Sequence, residues 1–360
     1  MRVAIRVDAS NKIGTGHVMR CLTLADAMQQ RGAQFRFISR HLPEYIRDML
    51  AAKGHEFLLL DSSSSEASAD DLAHANWLGT SQHADAQESL QALSDQYWDW
   101  LVVDHYALDA RWESVLRQAA KHILVIDDIA DRQHDCDVLL DQNFYADMDT
   151  RYTGKVPEHC KLLLGPRYAL LREEFRRLRE QVKPRMGPVK RVLVFFGGVD
   201  ADNYTGLAIE VLANIGVEGL QVDVVIGAQH PHREQIESAC SEHQFDCHVQ
   251  TKRMAELMAT ADLAIGAGGS ATWERCSLGL PSIVLVLAEN QRKAIRDLAA
   301  VGAVINLGDA NQVTITAFAD KTIELIADEK MRFNLSRTSL KLVTGSKSQS
   351  VMEALFGQNA

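Results

Sequence analysis

The chain has no run approaching the ~20 apolar residues that a bilayer-spanning helix needs, which argues against a helical membrane protein. It also lacks any excess of positive charge: 38 Lys and Arg against 48 Asp and Glu leave a formal net charge of −10. That balance argues against a broad electrostatic footprint for nucleic acid or an anionic membrane. A polyanionic ligand would have to be held by local devices such as helix N-termini and backbone amides. The six cysteines, Cys21, Cys136, Cys160, Cys240, Cys247 and Cys276, form no CxxC pair and show no metal-ligand spacing. Most sit in apolar patterns, as free buried thiols do, so a reduced, cytoplasmic setting is expected. The thirteen histidines are scattered, and His230-Pro231-His232 reads as an exposed loop rather than a metal site. No metal is expected. The segment Met1 to Asp8 reads as a strand, because it lacks the apolar run and small-residue cleavage site of a signal peptide.

What is present is a regular alternation over 360 residues, a length that exceeds a single typical core and predicts two domains. Arg2 to Val7 is an apolar, β-branched run. From Val18 to Arg31 the apolar positions Val18, Cys21, Leu22, Ala25 and Met28 share one helical face, with Gly32 as the stop. Strands are expected at Gln34 to Ile38, Glu56 to Leu60, Trp100 to Val103 and Ile123 to Ile126, with a helix near Glu44 to Ala52. Ser62 to Asp71 reads as a Ser/Ala/Asp-rich surface loop. After the basic Lys183 to Pro188 stretch, the best linker candidate, strands follow at Arg191 to Phe196, Leu220 to Ile226, Cys247 to Gln250, Leu263 to Gly266 and Ser282 to Val286. The repeated β-α order predicts mostly parallel sheets covered by helices on both faces. The expected domains are residues 1–183 and 184–360, two Rossmann-like halves with a ligand cleft at the carboxyl ends of the strands.

Four polar clusters lie at such strand ends. The first runs from Asp8 to Arg20. Gly14 and Gly16 let the backbone approach a ligand closely, and His17 follows at a helix N-terminus, where the positive end of the dipole favours a neutral, proton-accepting imidazole. The alternative is that His17 merely caps the helix. The absence of a third glycine weakens a dinucleotide reading. Arg20 shares the helical face of His17 and would meet a phosphate, an orienting carboxylate or solvent. The second cluster is Asp104-His105-Tyr106, with Asp127-Asp128 after the next strand. Either could orient a histidine or bind a sugar hydroxyl, or simply cap helices. In the third, Gly268, Gly269 and Ser270 open a helix whose free N–H groups suit an anion. No GK[ST] follows, so this is not a Walker loop. Glu274, one turn on, could accept both hydroxyls of a ribose, or the segment is a glycine turn with an exposed glutamate. The fourth, Glu289-Asn290-Gln291, offers carboxamides suited to sugar hydroxyls and acetamido groups, or a polar helix start.

Taken in order, Arg6 to Ser10, Ile13 to Leu22, Asp104 to Tyr106, Cys136 to Asn143, Gly165 to Arg172, Phe196 to Asp200, Gly268 to Glu274 and Glu289 to Gln291 form a set that resembles one family. It is the UDP-2,4-diacetamido-2,4,6-trideoxy-β-L-altropyranose hydrolases of pseudaminic acid biosynthesis, the PseG family, related to MurG-like glycosyltransferases of the GT-B fold. The resemblance spans roughly residues 2 to 300. It implies a GT-B fold, two Rossmann-like doubly wound domains facing across a cleft, and metal-independent, inverting hydrolysis of the bond between the anomeric carbon and UDP. By the same resemblance His17 is the general base and Tyr106 lies near the sugar. Gly268, Gly269 and Ser270 hold the diphosphate, Glu274 the ribose and Asn290 the sugar, and Met254 lies at the uracil. Gly14, Gly16, Arg20, Asp104, Gly198 and Gln291 complete the implied substrate contacts. A last helix crossing back to the first domain is open after about Gly302.

The implied partners are a UDP-sugar and water, with no cofactor, nucleic acid or membrane. A monomer is expected, since no long exposed apolar or coiled-coil stripe is visible. A glycosyltransferase using the same site, or a UDP-sugar-binding protein without turnover, remain the rival readings.

Overall fold

The computed structural model describes residues 1–10, 12–61, 70–344 and 348–357. Most of the expected Ser/Ala/Asp-rich loop, residues 62–69, lies outside the described residues.

Elements alternate as the sequence suggests. The first series is β1 (Arg2–Val7), α1 (Gly16–Gln29), β2 (Gln34–Ser39), α2 (Glu44–Ala52), β3 (Glu56–Leu59), α3 (Gln82–Ala92), β4 (Trp98–Asp104), α4 (Ala110–Leu116), β5 (Ala120–Ile126), β6 (Val138–Asp141), β7 (Lys161–Leu164) and α5 (Glu173–Arg179). The second is β8 (Arg191–Phe195), α6 (Tyr204–Ile215), β9 (Gln221–Ile226), α7 (Arg233–His243), β10 (Asp246–Val249), α8 (Met254–Thr260), β11 (Leu263–Ala267), α9 (Ala271–Ser277), β12 (Ser282–Val286), α10 (Glu289–Ala300), β13 (Ile305–Asp309), α11 (Ile315–Ala327), α12 (Glu329–Leu342) and α13 (Ser348–Phe356). Strands β6, β7 and β13 are four or five residues long, too short to carry a periodicity of their own.

The chain divides into two compact units. One holds Met1–Asn143, Asp147–Leu170 and Ser348–Ala360; the other holds Phe144–Ala146 and Leu171–Lys347. The division falls at Leu170 rather than at the basic linker candidate. The reason is local: Phe175 of α5 is fully buried, Arg179 donates to the carbonyls of Leu340 and Val343, and Arg185 bonds Ser336 and Met258. These contacts anchor residues 171–190 to the second unit.

In the first unit the sheet order is β3-β2-β1-β4-β5-β6-β7, with the paired strands parallel. Val3, Ile5 and Val7 of β1 face one core with Val18, Cys21, Leu22, Ala25 and Met28 of α1. Each such aliphatic side chain contributes roughly 1.5–3 kcal/mol by leaving water. Val351, Met352 and Leu355 of α13 share that core, and the Arg31 guanidinium lies over the Phe356 ring at 5.4 Å. The opposite face of the sheet packs Ala4, Leu101, Val103, Ile123 and Val125 against Trp98 and Trp112.

The second unit has the order β10-β9-β8-β11-β12-β13, again with the paired strands parallel. Its core gathers Val192 and Val194 of β8 with Val222, Val224, Leu263, Ile265, Ile283 and Leu285.

Both sheets reverse their winding at one place. In the first unit that place is β1 beside β4; in the second it is β8 beside β11. Loops diverge at such a switch point, so the carboxyl ends of these strands leave room for a ligand. Among the described residues no helix is long and apolar enough to cross a membrane.

Candidate active site

The loop after β1 is a tight return. The Gly14 amide donates to the Ser10 carbonyl at 2.8 Å, and Gly14 has φ +75°, a conformation that strains any residue with a Cβ. Gly16 opens α1 and has open space around its Cα. His17 therefore sits in the first turn, above the switch point.

The end of β4 meets it there. Asp104 Oδ1 lies 2.5 Å from His17 Nδ1. The same carboxylate accepts from Arg20 Nε at 2.6 Å and Nη2 at 2.7 Å. Arg20 Nη1 donates to Asp128 at 2.9 Å, and the Tyr106 hydroxyl donates to Asp128. The Tyr106 ring stands edge-on to the His17 ring, with centroids 4.7 Å apart. Asp104 and Tyr106, two apart at the strand end, reach one cluster while His105 between them is turned to another, as the period-two alternation of extended chain dictates.

The charges support this geometry. Burial pushes the Asp104 carboxyl up, but the Arg20 guanidinium and the His17 ring outweigh it and hold the group well below the usual carboxylate range. Burial and the neighbouring Asp128 charge push the Tyr106 phenol well above its ordinary value, so it keeps the proton it donates. An ionised Asp104 can only accept, so the hydrogen on the His17 ring sits on Nδ1. Among the described residues no group takes up Nε2, which carries the lone pair. His17 is thus not a simple helix cap: its side chain is bonded to Asp104 and stays 10% exposed.

A second buried network holds the strand ends in place. Arg6, fully buried on β1, pairs with Asp8 at 2.6 Å and with Asp85 of α3 at 2.8 Å. Asp8 also accepts from the Arg40 amide at 2.7 Å, and His105 Nε2 lies 3.2 Å from its Oδ2. His105 Nδ1 accepts from the Ala107 amide. Burial lowers the His105 pKa against the pull of Asp8, which keeps that ring neutral.

In the second unit, β11 leads through Gly268, Gly269 and Ser270 into α9. A Cβ on Gly266 would lie 2.1 Å from the Phe195 carbonyl oxygen, and one on Gly268 would lie 2.6 Å from Ile295 Cγ1 of α10. The glycines are therefore needed for packing as well as for any ligand. The Gly268 amide is already bonded to the Leu285 carbonyl at 3.1 Å, which leaves the amides from Gly269 onward as the candidates for an anion. Glu274 lies one turn into α9 and is bonded by Arg172 Nε at 3.0 Å; burial raises its pKa while Arg172 opposes the rise. Beneath the loop, Arg275 is buried and donates to the Ala267 carbonyl at 2.7 Å, and burial lowers it to about 10.

The other expected contacts lie apart from this loop or beside it. Gln291 caps the turn by accepting from the Leu287 amide at 3.0 Å, and its Oε1 is beside Gly268. Asn290 is exposed at the start of α10, and Met254 is buried at the start of α8. Gly198 is exposed after β8, with its carbonyl packed against Gly227. One expectation is corrected: His230 is buried rather than in an exposed loop, its ring packed 3.7 Å from Asp200.

Sequence reasoning missed His74 and Trp77, which stack beside Tyr106, with ring centroids 5.3 and 5.6 Å from it. Nothing in their spacing marks them, because a short 3₁₀ turn, Ala75–Trp77, brings them in. Reasoning from sequence also left open whether a carboxylate orients His17, and which; the geometry identifies Asp104.

The fold defines the class first: two α/β units, each with a parallel sheet, of the GT-B type. Acinetobacter baumannii MurG has the same fold, with a TM-score of 0.66 at 14% identity over 99% of both chains. Residues 191–355 match the glycosyltransferase family 28 C-terminal domain. Among individual proteins, the chain is similar to the UDP-2,4-diacetamido-2,4,6-trideoxy-β-L-altropyranose hydrolase of Campylobacter jejuni, 23% identical over 84% of this chain and 97% of that one. It is also similar to the spore coat polysaccharide biosynthesis protein SpsG of Bacillus subtilis, 24% identical over 96% of this chain and 95% of that one. A Methanocaldococcus jannaschii protein is 21% identical over 82% of this chain, which spans 58% of that relative's length. The resemblance to the altropyranose hydrolases stands.

Proposed function

We propose that the chain hydrolyses a UDP-sugar at its anomeric carbon, with UDP-2,4-diacetamido-2,4,6-trideoxy-β-L-altropyranose as the substrate, in pseudaminic acid biosynthesis. The observation that carries this reading is the 2.5 Å contact of His17 Nδ1 with Asp104. It fixes the tautomer and leaves Nε2 as a base for water. In the proposed step the water oxygen bonds to the anomeric carbon and its proton passes to Nε2. The bond to the β-phosphate oxygen breaks and UDP leaves with the electron pair. Attack opposite the leaving group inverts the centre. UDP is a good leaving group, so the remaining requirement is stabilisation of its charge, which preorganised amides such as those of Gly269 and Ser270 can supply. Glu274 would hold the ribose, Met254 the uracil and Asn290 the sugar, with Asp104 and Arg20 acting through His17. The Campylobacter relative's name supports the substrate.

The reading is tested by incubating the protein with that UDP-sugar alone. Release of one UDP per sugar without an acceptor is expected, with the free sugar seen by NMR as the inverted anomer first. His17→Ala should lower turnover by roughly 10²–10⁴ while UDP still binds. Full activity in that variant removes His17 from the role. The family 28 match favours one rival, a glycosyltransferase, which would release UDP only when an acceptor is added.

A further inference from the structure

Beside His17 stands an aromatic cluster that the hydrolytic step does not use. The rings of His74 and Trp77 lie 4.5 Å apart, and both pack on Tyr106, whose ring also meets the His17 ring edge-on. Tyr106 is buried, whereas His74 and Trp77 are only half-buried. A Trp and a His left partly open beside a proposed base offer an occupant a stacking surface. Their faces carry the negative side of the ring quadrupole and suit methyl and polarised C–H groups. Their edges add donors: among the described residues nothing accepts from the indole N–H or bonds the His74 ring. Burial, against the pull of Asp131, lowers the His74 pKa, which favours a neutral ring with one N–H and one acceptor nitrogen.

An apolar face with N–H donors and an acceptor at its edge matches one substituent well. An acetamido group offers a methyl to the ring, a carbonyl to an N–H and an amide N–H to an acceptor. A plain hydroxylated sugar offers no methyl, and a free amine is charged and better hydrated. We infer that His74 and Trp77 form the wall that recognises the acetamido groups of the sugar held at His17. This inference rests on the UDP-sugar reading for the identity of the occupant. It assigns the pair a role in specificity rather than in the chemical step.

The experiment titrates the free 2,4-diacetamido-2,4,6-trideoxy sugar and its non-acetylated 2,4-diamino counterpart by calorimetry, a readout that does not depend on Trp77 as reporter. The wild type, His17→Ala, Trp77→Phe and Trp77→Ala are compared, and KM and kcat are measured on the UDP-sugar. The acetylated sugar should give a binding isotherm with the wild type and with His17→Ala, and the diamino sugar should not. Trp77→Ala should weaken sugar binding and raise KM about 5–10-fold, as loss of one aromatic contact implies, with kcat within about twofold. Trp77→Phe should retain most of the affinity. Unchanged KM in Trp77→Ala, equal binding of the two sugars, or a fall in kcat alone, which would mark Trp77 as a mere prop for Tyr106, overturns the inference. Acetamido-sugar binding without UDP release would sink the hydrolase reading and leave the wall standing.

Discussion

The carboxylate of Asp104 is shared between His17 Nδ1, at 2.5 Å, and the Arg20 guanidinium, at 2.6 and 2.7 Å. One buried anion thus orients a ring and is itself kept ionised by a cation three residues along the same helix. Asp104 is a positioning residue, and its removal should act through His17.

Asp104→Asn keeps the shape and removes the charge. The amide can present its NH₂ to Nδ1 and favour the wrong tautomer, with the hydrogen on Nε2. Turnover is expected to fall by roughly 10²–10⁴, with UDP affinity unchanged within about twofold. Steady-state UDP release and a UDP titration check both parts. Near-normal turnover would show that His17 needs no orienter.

Glu274→Ala removes a charged acceptor that Arg172 now holds. Charge-assisted hydrogen bonds contribute about 1.5–3 kcal/mol each, so UDP affinity should drop about 10- to 100-fold. The fall should be the same for UMP, since a ribose contact does not distinguish the two. Calorimetric titration measures it, and an effect on UDP but not on UMP would place Glu274 at the phosphates instead.

Gly268→Ala drives a Cβ to within 2.6 Å of Ile295 Cγ1. Overpacking of this kind costs about 1–3 kcal/mol. Combined with Ile295→Ala, which opens the space, the glycine substitution should cost nothing further. Denaturant unfolding of the two single variants and the double variant gives the coupling. Strictly additive losses would mean that α10 does not constrain this loop.

Stability should depend on pH at both ends. Asp104 and Asp8 are held low, burial opposing and Arg20 or Arg6 prevailing. Their contribution is therefore complete above the usual aspartate value of about 3.9 and lost below it. His105 is lowered by burial, so the unfolded chain takes up a proton that the native state refuses, and stability already declines as pH drops below about 6.5. His134 behaves oppositely. Burial opposes its charge, but Glu113 at 2.8 Å and Asp127 raise it to about 9. Its contribution is complete below about 6.5 and lost as pH rises through about 9, on the order of 3 kcal/mol in all. His134→Gln should lower stability at pH 6 and flatten the decline between pH 6.5 and 9. A decline that persists unchanged in that variant would assign it to another group.

The layers and the strand ends are legible in the amino-acid sequence alone. Alternating apolar runs and helical stripes specify β-α units because burial acts locally and periodically, and Gly14 and Gly268 mark turns, the first through its positive φ and the second through its close approach to Ile295. The sequence therefore brought His17, Arg20, Asp104 and Tyr106 forward as candidates at two separate strand ends. That β1 and β4 are neighbours at the switch point, and so that Asp104 and not Asp127 or Asp128 orients His17, emerges from the packing of the folded chain. Sequence spacing of 87 residues between His17 and Asp104 carries no trace of a 2.5 Å contact, since strand pairing is set by the summed packing of whole sheets. The same holds for His74 and Trp77: a half-buried aromatic pair on a short turn has no periodicity to betray it, and only the Tyr106 ring beneath gives the pair a place.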